Sequence, residues 1–219
     1  MIKLNFLNND YSDKRSQTEK ISDSIMIDIL TGNLRPGTWL TEKYLSEKYK
    51  LSRTPIREIL NRLISTNLIE LIPNRGCFVK TVTEKDIEDY FVLSYLLYPQ
   101  AVKWAIERIT KEERKVLEEV YNFMKFYTVQ DDLEKIKTIT KGFNLVIYDA
   151  CKNVEIEKTL KLYDFITYYG MLSVPYPKNY TQTVFEEYSA IFRAFAERDS
   201  NQGFEAAQIH KYKEILRRK

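Results

Sequence analysis

The stretch "LSRTPIREILNRL", Leu51 to Leu63, opens a helical pattern with two arginines four residues apart, while its apolar residues lean another way. On a helix of 3.6 residues per turn, Ile56, Ile59, Leu60 and Leu63 fall on one side. Arg53, Arg57 and Asn61 share a face about a quarter turn or more away. The apolar side can therefore dock while the arginines stay presented. The helix begins at the arginines on either of two readings. Thr54 is the N-cap with Pro55 at N1, where the missing N–H costs nothing, or Ser52 is the cap.

On the N-terminal side, Ile21, Ile25 and Ile29 repeat at i, i+4, i+8 in "EKISDSIMIDILTG", and Gly32 stops that helix. "NLRPGTWL" is a turn, because Pro-Gly cannot continue a helix and Gly37 permits positive φ. A short helix reads from Thr41 to about Tyr49, and "YKL" turns the chain into the quoted stretch. After Asn67, "LIELIPNRGCFVKTV" holds two short β-rich runs around Pro-Asn-Arg-Gly, which is hairpin chemistry. Three helices and a hairpin make helix-turn-helix plus wing. In that arrangement the third helix enters the DNA major groove by its N-terminal end, where free N–H groups and the positive dipole end also suit phosphate.

Beyond Val82 the reading is helical throughout. Box-like helix starts recur at Thr83-x-x-Asp86, Thr110-x-x-Glu113 and Thr183-x-x-Glu186, and "SVPYPKNYT", Ser173 to Thr181, is a loop between two helices. The fold class is mainly α: a flexible arm at 1–16, a winged helix-turn-helix at 17–82 with a small β-hairpin wing, and an all-helical bundle at 83–219.

Charge follows this division. Of the 219 residues, 1–82 hold 13 Lys+Arg against 9 Asp+Glu, and 83–219 hold 21 against 22. The positive excess sits on the N-terminal part, a mild pointer to a polyanion. The N-terminal segment lacks an apolar signal region and no stretch is long enough to span a bilayer, so a cytoplasmic location without membrane contact is expected. Cys77 and Cys151 stand apart with no CxxC or Cys/His cluster and read as ordinary thiols. One histidine, two isolated cysteines and only 6 glycines give no catalytic constellation and no phosphate loop, which argues against an enzyme. Oxidation of Cys77 in the wing is a rival mode of control, and nonspecific DNA packaging a rival function.

The run Gly32 to Val79 resembles the winged helix-turn-helix of the GntR family of bacterial transcription regulators, with "PG", "SRTPIRE" and "RGCFV" in the right order and spacing. The remainder resembles the FCD effector domain of the family's FadR branch through "LLYPQAVKWAIERIT", "FNLVIYDACKN" and "EEYSAIFRAFAERDSNQGFEAAQIH". The resemblance implies a homodimer on double-stranded DNA, with recognition helices in successive major grooves of a palindromic operator, and a helical domain modulated by a small-molecule effector. It places DNA contacts on Lys43, Ser52, Arg53, Thr54 and Arg57, and on Asn74, Arg75 and Gly76 at the wing tip. Arginine suits guanine O6 and N7, hydroxyls suit phosphate, and a tip glycine allows close approach.

Many FCD domains hold a divalent metal on an Asp-x-x-x-His pair and two later histidines. Here those positions are Thr140, Asn144, Tyr188 and His210, so three of four ligands are missing and no metal or other cofactor is expected. Ser94 and Tyr98 replace the charged pair that the family carries on the domain's first helix. A pocket lined by Ser94, Tyr98, Thr140, Asn144, Tyr188 and His210 would suit a neutral or amphipathic effector. The alternative is a collapsed pocket filled by tyrosines, in an effector-independent or redox-modulated regulator.

Overall fold

The computed structural model describes residues 15–170, 172 and 174–217, so most of the arm expected at 1–16 lies outside the described residues. Two compact units divide the chain. One comprises residues up to Ile87 with a short segment from Ile166 to Leu172, and the other comprises 88–165 and the residues from 174 onward.

The first unit starts with α1 (Gln17–Leu30), α2 (Glu42–Tyr49) and α3 (Arg53–Ser65). Ser16 caps α1 in a capping box, its hydroxyl accepting from the Glu19 N–H and the Glu19 carboxylate from the Ser16 N–H, while Thr41 caps α2 by accepting from the Tyr44 N–H. The turn into α3 passes through Lys50 at φ 54, a left-handed C-cap taken by a lysine rather than the usual glycine. Ile56, Ile59, Leu60 and Leu63 are all buried against a core that includes Ile25, Met26, Ile29 and Leu45, as the spacing of "LSRTPIREILNRL" predicts. Arg62, on another side of α3, reaches Glu19 and Asp23 of α1 at 3.1 and 3.5 Å.

The wing has three strands where sequence reading expected two. β1 (Trp39–Leu40), β2 (Ile69–Ile72) and β3 (Gly76–Val79) form an antiparallel sheet in the order β1-β3-β2, with Trp39 opposite Phe78 and Ile72 opposite Gly76. Asn74 (φ 61) and Gly76 (φ 98) both adopt the left-handed conformation that the tight connection needs. A Cβ at Gly76 would lie 2.7 Å from Trp39 Nε1, so the strand can approach that ring only without a side chain.

The second unit is a helical bundle made from most of α4 (Glu84–Arg108), with α5 (Lys111–Val129), α6 (Leu133–Ala150), most of α7 (Val154–Gly170), α8 (Tyr180–Glu197) and α9 (Ser200–Leu216). The boxes at Thr83/Asp86 and Thr110/Glu113 form as expected. The third does not. α8 begins at Tyr180 with Asn179 as N-cap, so Thr183 lies inside the helix, and Glu186 accepts from Gln182 instead. Four residues of earlier helix win over one box because each adds a backbone hydrogen bond. The core contains Val102, Leu117, Val120, Met124, Phe143, Ile147 and Ile191, every one nearly or fully inaccessible. Gly203 lets α9 press onto α4, since a Cβ there would lie 2.2 Å from Ile106 Cδ1. Among the described residues no strand occurs in this unit, and no helix is long and apolar enough to cross a membrane.

Candidate nucleic-acid interface and helical-domain cluster

Ser52 is the N-cap of α3 by backbone geometry, so Thr54 and Pro55 fall inside the first turn. Its hydroxyl makes no capping hydrogen bond, and the first turn holds no acidic residue. α1 and α5 differ: each has a filled capping box and acids in the first turn. The orphan N–H groups of α3 thus keep their affinity for an incoming anion. Ser52, Arg53, Thr54 and Arg57 are exposed, as are Lys43 on α2 and Asn74 and Arg75 at the wing tip; Gly76 is half-buried under Trp39.

Arg57 is not idle. Its Nε donates to Glu42 Oε1 at 2.7 Å. That hydrogen bond holds the Glu42 carboxyl below the usual carboxylate range, and it raises Arg57 further above its ordinary value. Sequence reading missed Glu42. Its signal was an acid beside Lys43 at the start of α2, a place where helix capping alone explains an acid. On the wing, Trp39 is 58% exposed and stacks on Phe78 at 6.2 Å, and the Arg75 guanidinium lies 5.9 Å from the Phe78 ring. Cys77 is buried in β3, and burial pushes its thiol up, away from the reactive thiolate.

In the helical unit, four of the six expected residues come together. Tyr98 of α4 and Tyr188 of α8 both donate to Asn144 Oδ1 of α6, at 2.9 and 3.1 Å. The His210 ring of α9 lies 4.7 Å from Tyr188 and 5.9 Å from Tyr98. Burial raises both phenols well above their ordinary range, so they remain donors. Ser94, one turn before Tyr98, is buried with its hydroxyl unpartnered. Thr140 stands apart, half-buried, its hydroxyl returned to the Lys137 carbonyl at 3.0 Å.

Around this group lies a charged layer that sequence reading did not single out. Glu187 is buried; His210 Nδ1 lies 2.8 Å from it, and Arg217 grips both its oxygens at 2.6 and 3.0 Å. Burial alone would raise Glu187, but these partners outweigh it and hold the carboxyl below its ordinary value. Tyr148 donates to Asp164 at 2.6 Å, and Lys211 pairs with Glu214 at 2.9 Å. A shallow, open depression is lined by residues 174–177, Tyr180, Glu214 and Arg217; none of the six expected residues lines it.

The residues at the family's metal positions do not fit a metal ion. Asn144 Oδ1 already receives two hydroxyls, Thr140 turns to its own helix, and the one imidazole is tied to Glu187. Among the described residues no three His, Cys, Asp or Glu side chains converge to hold one.

A wing beside a helix with an open, arginine-bearing N-terminus, followed in the chain by an all-helical bundle, defines the class of winged helix-turn-helix proteins with a helical C-terminal domain. Residues 17–79 match the family model of bacterial regulatory proteins of the gntR family, and residues 89–211, over half the chain, match the FCD domain. The chain therefore belongs to the GntR family, in its FCD-bearing branch.

It is 29% identical to the HTH-type transcriptional regulator McbR of Escherichia coli over 133 residues, 61% of this chain. That match spans 60% of McbR, under two thirds of its length. It is 25% identical to YdhC of Bacillus subtilis, an uncharacterized HTH-type transcriptional regulator, over 83% of this chain and 80% of that one. The solved structure of E. coli McbR/YncC shares the fold with a TM-score of 0.67 at 22% identity, covering 92% of this chain and 96% of that one.

Proposed function

We propose that this chain is a cytoplasmic transcription regulator that binds a palindromic operator as a homodimer. Residues 17–82 would read DNA, and residues 83–219 would dimerise and receive an effector. The observation that carries the reading is the N-terminal turn of α3. Its cap hydroxyl is free, it holds no acid, and Arg53 and Arg57 are exposed beside Ser52 and Thr54. Helices α1 and α5 close the same position with a side chain. In this reading the arginines meet base edges, Ser52, Thr54 and Lys43 meet phosphate, and Asn74, Arg75 and Gly76 meet the backbone or minor groove.

Selection of bound sequences from random duplex tests it. A palindrome with half-sites spaced by whole helical turns is the expected result, whereas equal affinity for random duplex, or a monomer bound to one half-site, overturns it.

For the helical domain the reading is a metal-free site for a neutral or amphipathic small molecule around Ser94, Tyr98, Thr140, Asn144, Tyr188 and His210. The buried, unpartnered Ser94 hydroxyl supports it. A second reading, a filled pocket with no effector, draws support from the convergence of Tyr98 and Tyr188 on Asn144. A metabolite screen by thermal shift, with and without chelator, separates them. A ligand at a hundredfold excess over its Kd stabilises by about 2.7 kcal/mol. A midpoint raised by neutral compounds and indifferent to chelator favours the first. Chelator sensitivity or a response confined to small carboxylates sinks it, and no response to any compound favours the second.

A further inference from the structure

We propose that Glu42 is a positioning residue for base recognition: it holds Arg57 by one edge of the guanidinium so that the opposite edge is presented ready-formed to a guanine. The proposal rests on the reading of α3 as the recognition helix. Its basis is the particular nitrogen engaged. Glu42 Oε1, on the first turn of α2, accepts from Arg57 Nε at 2.7 Å and from neither terminal nitrogen. Guanidinium is planar, so fixing Nε at one edge fixes the plane and the direction of Nη1 and Nη2. Those two form the fork that matches guanine O6 and N7. Arg57 keeps 64% of its side-chain surface exposed while so held, and Glu42 keeps 36%. The clamp therefore leaves the fork end open.

The cost of this device falls on affinity. A carboxylate at the mouth of a DNA-binding helix repels phosphate, and the chain already places Lys43 and Arg53 alongside to attract it. Arg57 without Glu42 would be a loose cation that binds any duplex; with Glu42 it becomes a reader of one base pair. Glu42 thus exchanges nonspecific attraction for discrimination. A merely structural role, such as an acid at the start of α2, would change the folded fraction and move affinity for every sequence alike.

The test uses the full chain on its selected operator, on operators changed at one base pair per half-site, and on random duplex. Arg57→Ala first locates the base pair at which preference is lost. Glu42→Gln should then reduce discrimination at that same base pair by about tenfold. Its affinity for random duplex should be equal or higher, and its unfolding midpoint retained. In the Arg57→Ala background, Glu42→Gln should change base preference no further, because the two side chains act as one unit. Discrimination unchanged in Glu42→Gln alone, or a loss spread evenly over all sequences, overturns the proposal and leaves the α3 reading standing. Preference unchanged at every position in Arg57→Ala overturns the α3 reading and the proposal with it. If Glu42→Gln lowers the midpoint, Glu42→Asp supplies the second variant. Discrimination at the Arg57 base pair recovered relative to Gln supports the clamp, and equal discrimination in Asp and Gln counts against it.

Discussion

The N-terminal turn of α3 and the Tyr98–Asn144–Tyr188 cluster treat polar groups in opposite ways. At α3 the hydroxyl of Ser52 caps nothing and the arginines stand in solvent. In the helical unit the hydroxyls of Tyr98 and Tyr188 are buried and donate to Asn144, and the carboxylate of Glu187 is buried against His210 and Arg217. Polar groups left unspent on the surface cost little and are available to a partner. Polar groups buried in a network must be satisfied internally, and they then serve stability first. The contrast separates two kinds of residue by what a substitution should do.

The largest expected effect is at Glu187. Removing a buried carboxylate that holds Arg217 and His210 should cost about 3–5 kcal/mol in Glu187→Ala, read from the denaturant midpoint of the helical unit. A loss below about 1 kcal/mol would mean that the network relaxes into water and that the contrast is overdrawn. The same group sets a pH dependence. Its folded-state pKa is depressed, so its stabilisation is full above the ordinary carboxylate range and drains away as pH falls through the folded value. Glu187→Gln should flatten that acid limb, and an unchanged limb would assign it to other groups.

Arg57→Ala should show the mirror image. Binding to the selected operator should weaken by about 1–3 kcal/mol, while the unfolding midpoint stays within about 0.5 kcal/mol of the parent. A destabilised fold with intact specificity would place Arg57 among the residues that hold the fold. Tyr188→Phe removes one of two donors to Asn144 and should cost about 1 kcal/mol of stability; a gain would mark a site strained by its own packing. The smallest pair of effects falls at helix ends. Thr110→Ala should lose about 1 kcal/mol because it empties a working cap. Ser52→Ala should leave the midpoint unmoved and weaken only DNA binding, and equal losses at the two caps would remove the distinction.

What was legible in the chain follows the same line. The winged unit declared itself because its signals are local: an apolar stripe on α3, Pro-Gly in one turn, and Asn74 to Gly76 at the hairpin tip. Trp39–Leu40 escaped notice as a strand because two residues cannot show an alternating pattern. The start of α8 was misplaced because Thr183-x-x-Glu186 fits a box, and only the backbone path through Asn179 shows that the helix is already under way. The charged layer of Glu187, Lys211 and Arg217 was invisible for a different reason. Charged residues on a helix read as a solvated face, and only tertiary packing reveals that α9 buries His210 and Lys211 along with Gly203 and Ala207. Asn144, Tyr98, Tyr188 and His210 were found as a group by resemblance, and no spacing in the sequence tells that the two phenols share one acceptor.

The approach of Trp39 to Gly76 bears on how such a protein can change its target. Position 76 disfavours every side chain, since its φ of 98° strains any residue but glycine and the indole lies where a Cβ would go. An exposed tryptophan on a short strand is thus a mould for the backbone of another strand, and its surface exposure need not mean that it touches a ligand. Variation in what the wing offers to a partner is funnelled into the side chains at 74 and 75, on a tip whose curvature is inherited intact. A lineage that alters Asn74 or Arg75 would retune the wing without rebuilding it, whereas one that loses Trp39 would still need glycine at 76, because a φ of 98° strains any side chain there whatever the space.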